Sequence, residues 1–111
     1  MNADMRKELH SRLESLRGYL DYDNKVIEIA EEEEITASPD FWNNPREAEK
    51  TVKKIKSKKT WTDSFKASLD AFEEFDTYFE FYEMAEATEA EVTTVYNKAQ
   101  KLIEDLELKK M

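Results

Sequence analysis

Trp61-Thr62-Asp63-Ser64-Phe65-Lys66-Ala67-Ser68-Leu69-Asp70-Ala71-Phe72-Glu73-Glu74-Phe75-Asp76-Thr77-Tyr78-Phe79-Glu80-Phe81-Tyr82 is the stretch that decides the fold. Trp61, Phe65, Leu69, Phe72, Phe75, Phe79 and Tyr82 recur at intervals of three and four. At ~100° per residue that puts them on one face of a helix. The ridge Phe65, Phe72, Phe75 and Phe79 reads as core packing rather than as a binding groove. Phe81, Tyr78 and Met84 fall off the ridge, so this end of the helix is apolar on several sides. It either packs on two neighbours or exposes a patch for another domain or subunit, with Phe81 and Met84 as its candidate contacts.

Upstream, Asn44 is a good N-cap, Pro45 suits the first helical position, and Glu47 stands three residues after the cap. Together they resemble a capping box. The helix is predicted from Pro45 to about residue 87, roughly 60 Å at 1.5 Å per residue. Ala48, Val52 and Ile55 define a different face, displaced from the aromatic ridge by roughly a third of a turn or more. The slip falls in Lys56-Ser57-Lys58-Lys59-Thr60. The expected arrangement is one continuous helix whose halves pack on different neighbours.

A first helix is predicted over about residues 4–35, with Met5, Leu9, Leu13, Leu16, Leu20, Ile27 and Ala30 on its apolar stripe. Asp23 falls where that stripe needs an apolar residue, so the middle of the helix is its weak point. Gly18 lies almost opposite the stripe, where it costs roughly 1 kcal/mol relative to Ala. It therefore needs a reason, such as the close approach of another backbone. Glu31 to Glu34 oppose the helix macrodipole and suggest a frayed, solvated end. Ser38 before Pro39 stops the helix. Pro39-Asp40-Phe41-Trp42 reads as a tight turn or one helical turn, with Phe41 and Trp42 expected to staple the connection against the first helix.

Thr88-Glu89-Ala90-Glu91 is a second capping box. It opens a third helix over residues 89–110 with Val92, Val95, Tyr96, Ala99, Leu102, Ile103 and Leu106 on one face. The chain reaches Met111 without a Gly or Pro stop, as expected of a sequence that continues. The predicted fold is all-α: three long amphipathic helices in an antiparallel bundle or coiled-coil-like hairpin.

Composition agrees. The 111 residues suit one domain, and one Gly with two Pro is too few turn formers for an all-β fold. A net charge of −9 opposes non-specific nucleic-acid binding and any role on DNA. Without Cys there is no disulfide or thiolate metal site. No apolar run approaches the ~20 residues of a membrane span. A soluble, cytoplasmic helical protein is expected.

Three segments carry a resemblance: Leu16-Arg17-Gly18-Tyr19-Leu20-Asp21-Tyr22-Asp23, then Pro39-Asp40-Phe41-Trp42-Asn43-Asn44-Pro45, then Leu106-Glu107-Leu108-Lys109-Lys110-Met111. In this order they resemble the N-terminal helical domain of the bacterial class-I peptide chain release factors, of the release factor 2 type. The motif residues are Arg17, Gly18, Tyr19, Leu20, Asp21, Pro39, Asp40, Trp42 and Pro45. Residues 51–90 are generic helix. In many members of that family the gene carries an in-frame stop codon between the Leu and Asp of the first segment, passed by a programmed frameshift. That would constrain Gly18 and Leu20-Asp21 through the mRNA as well as through packing.

The resemblance implies a division of labour. Whole release factors read stop codons, and a Gly-Gly-Gln loop promotes hydrolysis of peptidyl-tRNA. With Gly18 as the only glycine, that loop is absent from this chain. The codon-reading tripeptide Ser-Pro-Phe is absent too, since Ser38-Pro39-Asp40 shares only two letters with it. No catalysis and no cofactor are expected. The implied partners are the stalk base of the large ribosomal subunit and the GTPase that recycles release factors.

The residues themselves offer little chemistry. His10 is the only histidine, no Glu-x-x-His motif exists, and one Gly cannot form a phosphate loop. Lys50, Lys53, Lys54, Lys56, Lys58 and Lys59 are the one basic cluster and a candidate contact for RNA phosphate. They wrap around the helix, as a solvated face also would. A stand-alone helical adaptor or oligomerisation module is the rival reading.

Overall fold

Side-chain caps set where the long helices begin. In the computed structural model, which describes residues 1–109, the Asn44 side chain accepts the amide of Glu47. Thr88 and Glu91 exchange both bonds of a capping box, the Glu91 amide donating to Thr88 and the Thr88 amide to Glu91. These two starts open α3 (Pro45–Glu83) and α4 (Glu89–Leu108). Ahead of them lie α1 (Ala3–Tyr19), α2 (Tyr22–Thr36) and a single 3-10 turn, Phe41–Asn43. The described residues are all-helical, as predicted, with no strand among them.

α3 is the spine. Its 39 residues span about 58 Å at 1.5 Å per residue, which accounts for the 61 Å long axis of the molecule. It runs unbroken through Lys56–Thr60. Around its C-terminal half, α1 lies antiparallel: Arg6 meets Asp76 at 2.5 Å, His10 rests on Phe72, and Arg17 lies over Phe65. α4 folds back on the same half, placing Tyr96 against Phe75 with ring centroids 5.2 Å apart. α1 and α4 run side by side in the same direction. The Met1 ammonium reaches Glu89, and Arg12 grips Glu107 with two nitrogens, at 2.6 and 3.1 Å.

This three-helix end holds the core. Leu9, Leu13, Leu16, Leu20, Phe65, Phe72, Phe75, Phe79, Val92, Val95, Ala99, Ile103 and Leu106 are buried together. The predicted ridge of α3 and stripe of α4 are therefore core. The N-terminal half of α3 packs against α2 instead, antiparallel, with Ala48 buried at its far end. Two halves with two sets of neighbours is the arrangement the slipped apolar faces predict.

One helix over residues 4–35 is not what forms. The chain breaks at Leu20-Asp21, where Asp21 takes the left-handed conformation at φ 54°, ψ 45°. Asp tolerates that region better than most residues, and its carboxylate accepts a bond from the Asn24 amide. The reason is Asp23. An unbroken helix would carry it onto the buried face, whereas the break leaves it 68% exposed. Tyr22 turns in to stack on Phe65 at 4.5 Å in its place. The same rotation moves Ile27 and Ala30 outward and buries Ile29.

Helix α3 also ends earlier than residue 87. Ala85 sits at φ 57°, and the amides of Glu86 and Ala85 bond back to the carbonyls of Phe81 and Tyr82. That is a Schellman stop with alanine in the place glycine usually holds. The predicted third helix to residue 110 is seen to Leu108; Lys110 and Met111, the end of the third motif, lie outside the described residues.

Two backbone substitutions test these conformations. Ala85→Gly should raise unfolding stability by about 0.5–1 kcal/mol, because glycine adopts positive φ without a Cβ penalty. Gly18 is helical and a Cβ there would meet nothing within 4 Å, so Gly18→Ala should stabilise by a similar amount. Thermal melts followed by circular dichroism read both; a fall in Tm for either would contradict the geometry. Acid unfolding tests the capping box. The backbone bond from Thr88, reinforced by its hydroxyl, holds the Glu91 carboxyl below its ordinary value of 4.5. Its contribution is complete above that value and is lost as pH falls through the lower, folded one. Glu91→Gln should flatten the slope of stability against pH in that window.

Candidate interaction surfaces

The two opposite charge runs meet each other. The connection over residues 37–44 turns α2 back along α3, so side chains equally far from the turn face one another. Lys58 inserts between Glu28, at 3.0 Å, and Glu32, and Lys59 reaches Glu33 at 3.3 Å. Its bonds to Glu32 first, then to Glu28, hold the Lys58 ammonium above its ordinary value. The other carboxylate oxygen of Glu32 is buried without a hydrogen-bond partner. Glu31 to Glu34 are therefore not a frayed tail: the helix continues to Thr36, and two of the four glutamates bind α3. Each run had a bland reading alone; the signal was their pairing across a short connection.

The break between α1 and α2 has its own clasp. Arg17 donates from two nitrogens to Asp23, at 3.1 and 3.2 Å, and its guanidinium lies over the rings of Tyr22 and Phe65. The bond to Asp23 is the main reason its pKa is raised. This contact crosses the residues at the break between the two helices.

The candidate lysines divide. Lys50 and Lys53 are exposed and pair within their own helix, with Glu47 at 3.5 Å and Glu49 at 3.4 Å. Lys54 and Lys56 are exposed. Phe81 and Met84 are 41% and 57% exposed at the other end of α3. The structure therefore separates the basic and apolar candidates to opposite halves of the spine. Tyr78 packs against the core, so the apolar end is an exposed patch and not a second buried face. His10 is exposed and 3.8 Å from Glu14. Among the described residues no cluster of acidic and histidine side chains is arranged to hold a metal ion. None of their helices is long and apolar enough to cross a membrane.

The chain is 30% identical over 112 residues to peptide chain release factor 2 of Nautilia profundicola, an alignment covering 98% of this chain and 30% of that protein. The release factor 2 of Acidovorax sp. is 34% identical over 111 residues, covering 95% and 29%. That of Haemophilus influenzae is 32% identical over 100 residues, covering 90% and 26%. The chain belongs to the release factor 2 family. It spans less than a third of the length of these curated relatives. No protein-family model matches it.

Within this release factor 2 segment, the motif residues occupy the two places where the chain turns. Arg17, Gly18, Tyr19, Leu20 and Asp21 form the joint between α1 and α2: Leu20 is buried, Tyr19 is 59% exposed, and Gly18 has no close neighbour. Packing gives no reason for a glycine there. Pro39, Asp40, Trp42 and Pro45 form the turn between α2 and α3. The expected staple is only half made. Phe41 is half-buried and lies by Ile35 and Ala48, while Trp42 stands 62% exposed with its ring edge-on to Phe41.

Lys58→Met should lower stability by about 1 kcal/mol at low salt, the scale of a small, partly exposed ion-pair network. Glu28 and Glu32 then face each other without a cation. Adding Glu32→Gln to that variant should recover part of the loss. Equal melting temperatures for all three proteins would remove Lys58 as the link between α2 and α3.

Proposed function

We propose that this chain is the N-terminal helical domain of a release factor 2 and works in translation termination by docking and positioning. The observation that supports this most directly is the similarity along 95–98% of the chain to less than a third of two release factor 2 proteins. A binding role fits the molecule: an elongated helical body with a 61 Å axis, charged along one half and apolar at one end. In this reading the domain meets the stalk base of the large ribosomal subunit, and its position affects work with the GTPase that recycles release factors. Lys50, Lys53, Lys54, Phe81 and Met84 are the proposed contacts. Stop-codon reading and peptide release belong to other parts of the full-length protein.

Binding to purified large ribosomal subunits, followed by sedimentation and by crosslinking from Lys50, Lys53, Lys54, Phe81 and Met84, tests this. Saturable binding with crosslinks at the stalk base, and no peptide released from stop-codon-programmed ribosomes, is the expected result. Absence of ribosome binding together with a stable oligomer in solution would favour the adaptor or oligomerisation module. Peptide release by this chain alone would overturn the division of labour.

A further inference from the structure

The charge on the two helices of the arm is nearly segregated. α2 carries six carboxylates, Asp23, Glu28 and Glu31 to Glu34, against one lysine. Residues 45–60 of α3 carry Arg46 and six lysines against two glutamates. Lys50, Lys54 and Lys58 recur every four residues and share one side of the helix. Of these three, only Lys58 bonds to α2 carboxylates; Lys50 and Lys54 continue the cationic line in the open.

The apolar hold on α2 is thin by comparison. Ile29 is its only buried residue, and Tyr22 is half-buried. Between α2 and α3 runs an open groove of about 350 Å³, lined by Tyr22, Val26, Ile29 and Ala30 on one side and Lys59 and Thr62 on the other. Val26 and Ile27 are 43% and 56% exposed. Both ends of α2 are joints: Leu20-Asp21, with its left-handed residue, and the largely non-helical connection to Pro45. A segment with few buried apolar contacts and partly exposed ion pairs opens more readily than a packed core, and its charge pairs are weakened by salt.

We infer that α2 is a detachable acidic strap over a polyanion-binding stretch of α3. It lifts about Leu20-Asp21, frees Lys58 and Lys59, and an RNA phosphate backbone replaces its carboxylates. The lysines suit that partner. They are point charges along a helix with no deep apolar pocket beside them, as in contacts that follow a backbone without reading bases. In the closed state the strap neutralises Lys58 and Lys59 within a protein of net charge −9. The inference does not depend on the ribosome-docking reading, because its test uses free RNA.

Hydrogen exchange of the whole chain, at low and at raised salt, gives the first arm. Amides of residues 22–36 should exchange faster than those of α1 and α4 and should accelerate with salt, while α1 and α4 change little. Protection of α2 equal to that of α1 at both salt levels would overturn the strap. The second arm measures anisotropy of a labelled oligouridylate. The triple variant Glu28→Gln, Glu32→Gln, Glu33→Gln should bind at least about tenfold tighter than Glu74→Gln, Glu83→Gln, Glu104→Gln, which has the same net charge. Adding Lys58→Gln and Lys59→Gln to the strap variant should abolish the gain. Equal binding by the two triple variants, or a gain that survives loss of both lysines, would overturn the RNA site.

Discussion

Helix α3 cannot bury all its apolar residues against one neighbour, and the remainder of the chain conforms to that constraint. Ala48 at one end and Phe65, Phe72, Phe75 and Phe79 at the other belong to faces rotated relative to each other. The helix stays straight enough to be one element, so the partner must change along its length. α1 and α4 enclose the aromatic half and give a filled core. The other half receives α2 and, at its start, the turn that carries Phe41.

The joint at Leu20-Asp21 follows from the same geometry. α1 and α2 lie end to end along α3, each serving one of its faces, and the left-handed Asp21 supplies the change of phase between them. Leu20 is the last residue of the core stripe and Tyr22 the first of the new one, with Asp23 left in solvent beside Arg17. A left-handed non-glycine residue costs about 1–2 kcal/mol. Here it avoids the larger cost of carrying a carboxylate into the contact with Phe65.

What α2 lacks in apolar burial it replaces with charge. A two-helix arm has too little surface to enclose a core of its own, and a ladder of lysines against glutamates gives it register where Ile29 alone would not. Partly exposed ion pairs of this kind contribute modestly each and weaken with salt. The molecule is therefore uneven: a well-packed three-helix end and a lightly held arm. The arm is thus the part of this release factor 2 family member held least by apolar contacts.

The aromatic spacing in residues 61–82 and the two capping boxes were sufficient to give an all-helical fold, the start of α3 and α4, and most of the core, because periodicity and caps are local. The family was legible in short segments around Arg17–Asp21 and Pro39–Pro45, since motif order does not depend on packing. The break at Asp21 was visible only as an ill-placed Asp23; whether the chain bends, or buries the charge with a partner, depends on what α3 presents there. The stop at Ala85 had no glycine to announce it, and its two carbonyl bonds exist only once the turn has formed. The charge runs of α2 and α3 were each plain in the sequence. Their meaning was not, because a solvated lysine and one that joins two helices carry the same letter, and only the antiparallel return of the chain brings Glu28 and Glu32 to Lys58.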